Sequence, residues 1–129
     1  MSRKEIRLED LGAPVSHYTD AVRFGDLLFI SGIVATDGDG NVVGKADAAA
    51  QAAKIFENMG KILAAEGCGF GDVLKVTVFL RNMEHRAVIN PVRQEVFGDA
   101  RPASTLVEVA KLVDPDMLVE IEAVVGVPS

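Results

Sequence analysis

The sequence predicts an α+β fold, in which a single mixed β-sheet carries two helices packed on one face. Three observations favour this class. The apolar periodicity changes along the chain in the order strands, helix, strand, helix, strands. Charged residues alternate with apolar ones on two of the strands, so one face of the sheet is partly polar. A chain of 129 residues is long enough for one domain and short for two, so we expect one domain over residues 1–129.

The N-terminal third is predicted to consist of strands. Residues 21–44 contain short runs of apolar, β-forming residues, separated by Gly25-Asp26 and then by the segment DGDGN at residues 37–41. Glycine, aspartate and asparagine favour tight turns because they tolerate positive φ angles. We therefore expect two or three strands joined by hairpin turns.

Residues 47–67 are predicted to form the first helix. Asp47 can cap its start, and Gly67 suits the position just beyond its end. Between them apolar residues recur at the helical period: Ala52, Ile55, Phe56, Met59, Ile62 and Leu63. The spacing predicts a helix of about five turns.

The remaining elements follow from the same patterns. Residues 72–80 are mostly apolar and rich in β-branched side chains, which predicts a mostly buried strand. Residues 84–98 predict a second helix that starts late, because a proline such as Pro91 is best placed in a first turn. Residues 104–109 and 118–125 predict two further strands around a VDPD turn.

One face of the sheet is predicted to contact another subunit. Alternation places the following residues together on that face: Val73, Lys75, Thr77 and Phe79 in one strand, and Leu118, Glu120, Glu122 and Val124 in another. If the helices cover the other face, this mixed surface is too apolar to face water. We therefore expect a homo-oligomer.

Composition narrows the classes of partner. The chain has 13 Lys and Arg against 19 Asp and Glu, a formal net charge of −6, and no basic block. Such a chain is a poor ligand for a nucleic-acid backbone. Its longest apolar runs are far too short to span a membrane. The single cysteine and the charged first residues predict a cytoplasmic location.

The candidate metal and nucleophile motifs are incomplete. The segment DGDGN begins like a calcium loop, but Val42 stands where glycine is needed and Ala48 where a bidentate glutamate belongs. The two histidines and one cysteine lack the spacing of a metal cluster. For Cys68 and His17, a structural thiol and an exposed loop imidazole are favoured over catalytic roles. No metal or cofactor is expected.

Five segments, in this order and spacing, resemble the reactive intermediate deaminase family, also called the Rid or YjgF-type family. They are HYTDAV, LLFISGIV, VLKVTVFLRNM, RPASTLVEVAKL and VEIEAV, and the similarity runs from about Gly12 to Val125. The resemblance implies a chorismate-mutase-like sheet and a homotrimer with active sites between subunits. It also implies cofactor-independent hydrolysis of enamines or imines, such as 2-aminoacrylate, to a keto compound and ammonia.

The resemblance implies several site residues as well. Glu120 corresponds to the acceptor that orients water onto the imine carbon. Tyr18 and Ser31 match positions that line the pocket. The structural alternative is that Glu120 or Glu122 pairs with Lys75 or with a neighbouring subunit, since buried carboxylates need partners.

Residues 102–105 depart from the family pattern. Active members have Pro-Ala-Arg-Ser here, whereas this chain has Pro-Ala-Ser-Thr, so Ser104 stands where the carboxylate-binding arginine belongs. A serine cannot supply a charged, bidentate donor. Leu106 replaces a residue that is often small or polar. Arg86, at the second helix, is a candidate to bind a substrate carboxylate instead, with Arg93 about two turns further on; a solvated helix arginine is the alternative.

These observations support three functional hypotheses. The first is a Rid-type hydrolytic deaminase of a 2-aminoacrylate-like or 2-aminomuconate-like carboxylate, in which Glu120 orients water and Tyr18, Ser31, Ser104 and Thr105 shape the pocket. The second is a noncatalytic trimer that binds a small metabolite or a partner protein, which the arginine-to-serine change favours. The third, an endoribonuclease, fits poorly with a net charge of −6 and no basic groove.

Overall fold

The computed structural model describes residues 1–129, which form one mixed six-stranded sheet with two helices. The strands are β1 (Arg3–Ile6), β2 (Ala21–Phe24), β3 (Leu27–Val34), β4 (Val73–Leu80), β5 (Ala103–Glu108) and β6 (Val119–Gly126), and the helices are α1 (Ala48–Ala65) and α2 (Arg86–Phe97). The strand order is β1-β2-β3-β6-β4-β5. Only the β4–β5 pair is parallel. The predicted α+β fold is confirmed.

Helix α1 forms as its sequence predicts. The Asp47 side chain accepts a hydrogen bond from the backbone N–H of Ala50 at 3.0 Å, which satisfies one of the free donors at the helix start. Gly67 follows the helix end with a φ of 71°. The apolar stripe packs on β3 and β6, and its large side chains are fully buried: Ile55, Met59, Ile62 and Leu63. Each such side chain contributes about 1.5–3 kcal/mol through its burial.

Helix α2 begins earlier than predicted. It starts at Arg86, so Pro91 lies inside the helix and not in its first turn. The chain is already wound before this point, in a short 3₁₀ turn whose N-cap is Asn82. Pro91 removes one backbone hydrogen bond, but it lies on the exposed side. The opposite side holds the buried Ile89 and Phe97, and α2 packs against α1.

Two details of the sheet differ from the prediction. A register shift in β4 between Val73 and Lys75 puts Val73 in the core at 6% exposure and turns Leu74 outward at 52%. The prediction that Val73 shares a face with Lys75 is therefore wrong, because a β-bulge breaks the alternation. The sequence does not predict β1, because its exposed, charged residues lack an apolar pattern and pair only with β2 at the edge.

The sheet face opposite the helices mixes apolar and charged side chains and is uncovered in the single chain. Its strand residues include large side chains that are about two-fifths to one-half exposed: Phe24, Leu27, Phe29, Leu74 and Val107. We call this the open face. It is the face that the alternation predicts to meet another subunit. Neither helix has the length and apolar composition that crossing a membrane requires.

Candidate active site

Glu120 lies on the open face, near the start of β6. It is paired in register with Val34 of β3 and Phe79 of β4. The side chain is half-buried and forms no ion pair in the chain. Lys75, the partner considered above, donates instead to Oγ1 of Thr105 at 2.6 Å. Glu120 therefore carries its charge without a counterion in its own chain.

The surroundings of Glu120 make it a stronger base than an ordinary glutamate. Burial raises the pKa of its carboxyl group, and the negative charge of Glu122, two residues on along the same strand face, raises the pKa further. A carboxylate with a raised pKa accepts a proton from water more readily. The second cause follows from strand geometry, because alternation along β6 keeps the two carboxylates on one face.

A β-bulge in β3 makes room for this carboxylate. The register between β3 and β6 shifts between Ile30 and Ile33, and Gly32 lies in the shifted segment. A Cβ atom built on Gly32 would lie 2.9 Å from Cδ of Glu120 and closer still to Oε2. Only glycine leaves this space open. Sequence reasoning missed Gly32, although an isolated glycine in a strand pattern is a signal for a bulge or a close approach.

Tyr18 and Ser31 lie beside Glu120, where the resemblance implies them. The three residues line one open pocket of about 330 Å³, together with Val15, Ser16, Gly32 and Val113. The Ser31 hydroxyl donates a hydrogen bond of 2.6 Å to the carbonyl oxygen of Thr19. This bond ties the segment that carries Tyr18 to β3. Tyr18 itself is 49% exposed, so its ring forms an open wall of the pocket.

Three other predicted site residues, Ser104, Thr105 and Leu106, lie on β5 and do not share this pocket. Ser104 and Leu106 align with buried residues of β4, on the face that the helices cover, whereas Thr105 lies on the open face. Ser104 and Glu120 therefore occupy opposite faces of the sheet. Within one chain, the side chains of Ser104 and Glu120 cannot both contact the same small molecule.

The arginine that contacts Ser104 is Arg93, whose guanidinium donates to Oγ of Ser104 at 2.8 Å. Burial lowers the pKa of Arg93, although a guanidinium remains protonated in proteins. Arg86 lies at the first position of α2, is exposed, and forms no ion pair. A substrate-binding role for Arg86 stays a prediction.

Asp37 and Cys68, the residues considered for metal binding and nucleophilic chemistry, lie in environments that favour structural roles. The Asp37 carboxylate accepts the backbone N–H groups of Asn41 and Asp39 at 2.9 Å each, and these bonds, that from Asn41 foremost, lower its pKa. It therefore organises a turn, as predicted. Burial, with the charge of Asp72, raises the pKa of the Cys68 thiol, which disfavours the reactive thiolate. No group of three His, Cys, Asp or Glu side chains could hold a metal ion.

The fold and the pocket together define a class of small α+β protein, in which a mixed sheet is backed by two helices and carries a carboxylate pocket on its open face. The chain belongs to the Endoribonuclease L-PSP family, whose model matches residues 10–127. This match confirms the resemblance found in the sequence.

Named relatives extend the comparison. A RutC family protein of Pyrococcus horikoshii is 38% identical over 95% of this chain and 96% of its own length. The 3-aminoacrylate deaminase RutC of Acinetobacter baylyi is 38% identical, with 96% and 98% covered. The 2-iminobutanoate/2-iminopropanoate deaminase of Salmonella typhimurium is 33% identical, with 94% and 95% covered. Relatives named as deaminases thus match nearly the whole chain.

Solved structures agree with the fold. The YjgF gene product of Escherichia coli superposes with a TM-score of 0.86 at 33% identity, covering 95% of this chain and 98% of that one. Escherichia coli TdcF with bound serine superposes with a TM-score of 0.88 at 30% identity, covering 97% and 99%. The chain therefore shares its architecture with these structures over nearly its whole length.

Proposed function

We propose that this protein is a hydrolytic deaminase, which converts a small enamine or imine bearing a carboxylate into a keto compound and ammonia. The observation that carries this proposal is Glu120, a half-buried carboxylate with a raised pKa and no counterion, held over Gly32 beside Tyr18. The relatives named as deaminases of 3-aminoacrylate and of 2-iminobutanoate/2-iminopropanoate support the same reaction class.

The reaction needs one water molecule and one base. An enamine first tautomerises to its imine. Glu120 accepts a proton from water as the water oxygen bonds to the imine carbon, and it passes that proton to the imine nitrogen as the C=N double bond becomes single. The resulting carbinolamine expels ammonia when Glu120 takes the proton of its hydroxyl group and transfers it to the leaving nitrogen as the carbonyl forms. The carboxylate is regenerated, and no cofactor is consumed.

We propose that a homotrimer completes the site. The exposed apolar residues of the open face support burial by a second copy. The placement of Glu120 and Ser104 on opposite faces supports a site built from two copies, because both predicted site residues can contact one substrate only across an interface. The proposed substrate is 2-aminoacrylate-like or 2-aminomuconate-like. The cytoplasmic location stays a prediction.

Two rival functions make different predictions. A noncatalytic metabolite-binding trimer is favoured by one feature, the serine at position 104, and predicts binding without turnover. Endoribonuclease activity, which the family description names, predicts RNA cleavage. It remains the poorer fit, because a formal net charge of −6 opposes binding to a phosphate backbone.

Ammonia release by the purified protein tests the proposal. The substrates are 2-aminoacrylate and its short-chain homologues, generated in situ, and 2-aminomuconate. We expect Glu120→Gln to lower kcat/KM by about 10²- to 10⁴-fold, because glutamine keeps the shape of the side chain but cannot accept a proton. Glu122→Gln is the matched control, because it removes a carboxylate from the same strand face outside the pocket.

The two variants separate the possible outcomes. Loss of activity in Glu120→Gln alone, with both variants eluting at the size of the wild-type protein, supports a water-activating glutamate. Equal losses in both variants would remove the specific role of Glu120. A well-folded wild-type protein that releases no ammonia from any of these substrates would leave the binding-protein hypothesis in its place.

A further inference from the structure

We infer that Arg93 and Ser104 together form the carboxylate-binding subsite of this protein, with the guanidinium on α2 supplying the charge and the hydroxyl on β5 holding it in place. The inference rests on the proposed function only for the identity of the bound carboxylate as the substrate. The binding chemistry itself follows from the contacts around Arg93.

Arg93 occupies a position where the helix otherwise buries apolar side chains. Ile89 and Phe97 lie four residues before and after it, on the same side of α2, and they are 0% and 8% exposed. Arg93 itself is half-buried. Arginines are seldom drawn into such a stripe without a partner, because the charged form loses solvation there.

The guanidinium has no charged partner in the chain. No carboxylate oxygen lies within 4.0 Å of it, and its one hydrogen bond goes to the neutral hydroxyl of Ser104. A guanidinium carries five N–H donors. None of its nitrogens is among the buried atoms that lack a partner, so the donors left free reach solvent. The positive charge is therefore oriented and accessible, yet not neutralised.

Ser104 completes a binding surface for a planar anion. Its oxygen accepts the bond from Arg93, which leaves its own O–H free to donate. A guanidinium and a hydroxyl placed side by side match the two oxygens of a carboxylate. Leu106 lies on the same face of β5 and offers apolar contact to the carbon atoms of a small ligand. The chain thus carries on the helix the charge that its β5 strand lacks.

A binding titration tests this subsite without catalysis. The probes are pyruvate, a small 2-keto carboxylate, and pyruvamide, its neutral analogue, each titrated into the full-length protein and followed by NMR chemical shifts. We expect the wild-type protein to prefer pyruvate. Arg93→Met should weaken pyruvate binding by about 10- to 100-fold, the range for a lost charged hydrogen bond, and leave pyruvamide binding unchanged. Arg101→Met, an exposed arginine beside β5, is the control.

Moving the charge back to the strand provides a second, independent variant. The double variant Arg93→Met/Ser104→Arg places a guanidinium on β5 in place of the one removed from α2, and we expect it to recover most of the pyruvate affinity. Methionine suits the apolar stripe of α2, so folding should be retained, as circular dichroism and elution volume would show. Recovery separates lost charge from damaged structure.

Several results would overturn the inference. They are unchanged pyruvate binding in Arg93→Met, a loss that instead follows Arg86→Met, or no preference of the wild-type protein for pyruvate over pyruvamide. Ammonia release is measured separately. Binding that depends on Arg93, without ammonia release, would refute the proposed deaminase and keep the subsite; ammonia release without dependence on Arg93 would do the reverse.

Discussion

The Glu120 pocket and the Arg93–Ser104 subsite are opposites in charge and in position. Each holds a half-buried charge with no counterion in its own chain, one on the open face and the other on the helix-covered face. The sheet between them keeps the two charges from neutralising each other. An arginine close to Glu120 would lower the pKa of that carboxyl group and weaken it as a base. Within one chain both charges therefore stay unpaired, and in the proposed site between two copies the substrate carboxylate would pair with Arg93 of one copy beside Glu120 of the other.

The two regions also differ in what positions the charge. Glu120 is placed by backbone, through β6, its two neighbouring strands and the bulge at Gly32. Arg93 is placed by a long side chain and a single hydrogen bond to Ser104. We therefore expect changes around Glu120 to act mainly on kcat, and changes around Arg93 mainly on KM.

The largest of the following effects is expected from Gly32→Ala, which tests whether changes around Glu120 act mainly on kcat. The added methyl group overlaps the space that the Glu120 carboxylate occupies, so the carboxylate must turn away. We expect kcat to fall by about 10- to 100-fold, while KM and Tm change little because a flexible side-chain end can move at low cost. Steady-state kinetics and thermal melts measure this. Gly71→Ala is the control, since no atom lies within 4 Å of its added Cβ. A change in KM with an unchanged kcat would contradict the role of the backbone at Gly32 in placing the Glu120 carboxylate.

Ser104→Ala tests the other region with a smaller expected effect. The charge of Arg93 remains, but the hydrogen bond that orients it is lost, and such a neutral partner contributes about 0.5–1.5 kcal/mol. We expect KM for a carboxylate substrate to rise by about 3- to 10-fold and kcat to stay within about twofold of the wild-type value. Ser104→Thr keeps a hydroxyl and should restore KM. A fall in kcat with constant KM would contradict the proposal that the Arg93–Ser104 subsite acts mainly on KM.

The pH profile reports on the Glu120 pocket alone. Because burial and the charge of Glu122 raise the pKa of Glu120, and the base acts in its ionised form, kcat/KM should fall with decreasing pH at a higher pH than an ordinary glutamate would give. Glu122→Gln removes one of the two causes, so the acid limb should move to lower pH while the plateau is kept. Rate profiles for the two proteins measure this, and an unmoved limb would show that another group controls the titration.

The smallest expected effect is that of Glu120→Gln on the stability of the folded protein. A carboxyl group whose pKa is raised by folding stabilises the folded state below its unfolded pKa, and this contribution is lost as the pH rises through the folded pKa. At neutral pH the charged Glu120 therefore destabilises the folded state, and solvent screening keeps this destabilisation small. We expect Glu120→Gln to raise Tm by at most a few degrees at pH 7 and to change it less at pH 4. Calorimetry would contradict this if the variant melted lower at pH 7.

Elements with a strong apolar period could be predicted from the sequence, and those set by local irregularities could not. The helix from Ala48 to Ala65 follows from its stripe and its caps. Val73 was assigned to the wrong face because one inserted residue reverses the alternation, and Pro91 lies inside α2 because the preceding turn had already started the helix. Edge strand β1 has no apolar face to detect.

The site shows the same division. The positions of Glu120, Tyr18 and Ser31 follow from family segments that can be read in order along the chain, and the structure gathers the three in one pocket. Gly32 matters only through a bulge, and Arg93 only through a contact with a side chain eleven residues away. Neither contact has a periodic signature, and the resemblance to the family led the sequence analysis to Arg86 as the candidate carboxylate-binding residue.

The parallel pairing of β4 with β5 has a consequence for how this protein can diversify. Arg93, Ser104 and Leu106 all lie in one uninterrupted stretch, α2 and the strand that follows it, whereas the Glu120 pocket joins residues from both ends of the chain. If the proposed subsite binds the substrate, exchanging residues 86–106 for the corresponding stretch of a relative should change which carboxylates bind, while every residue of the Glu120 pocket is kept.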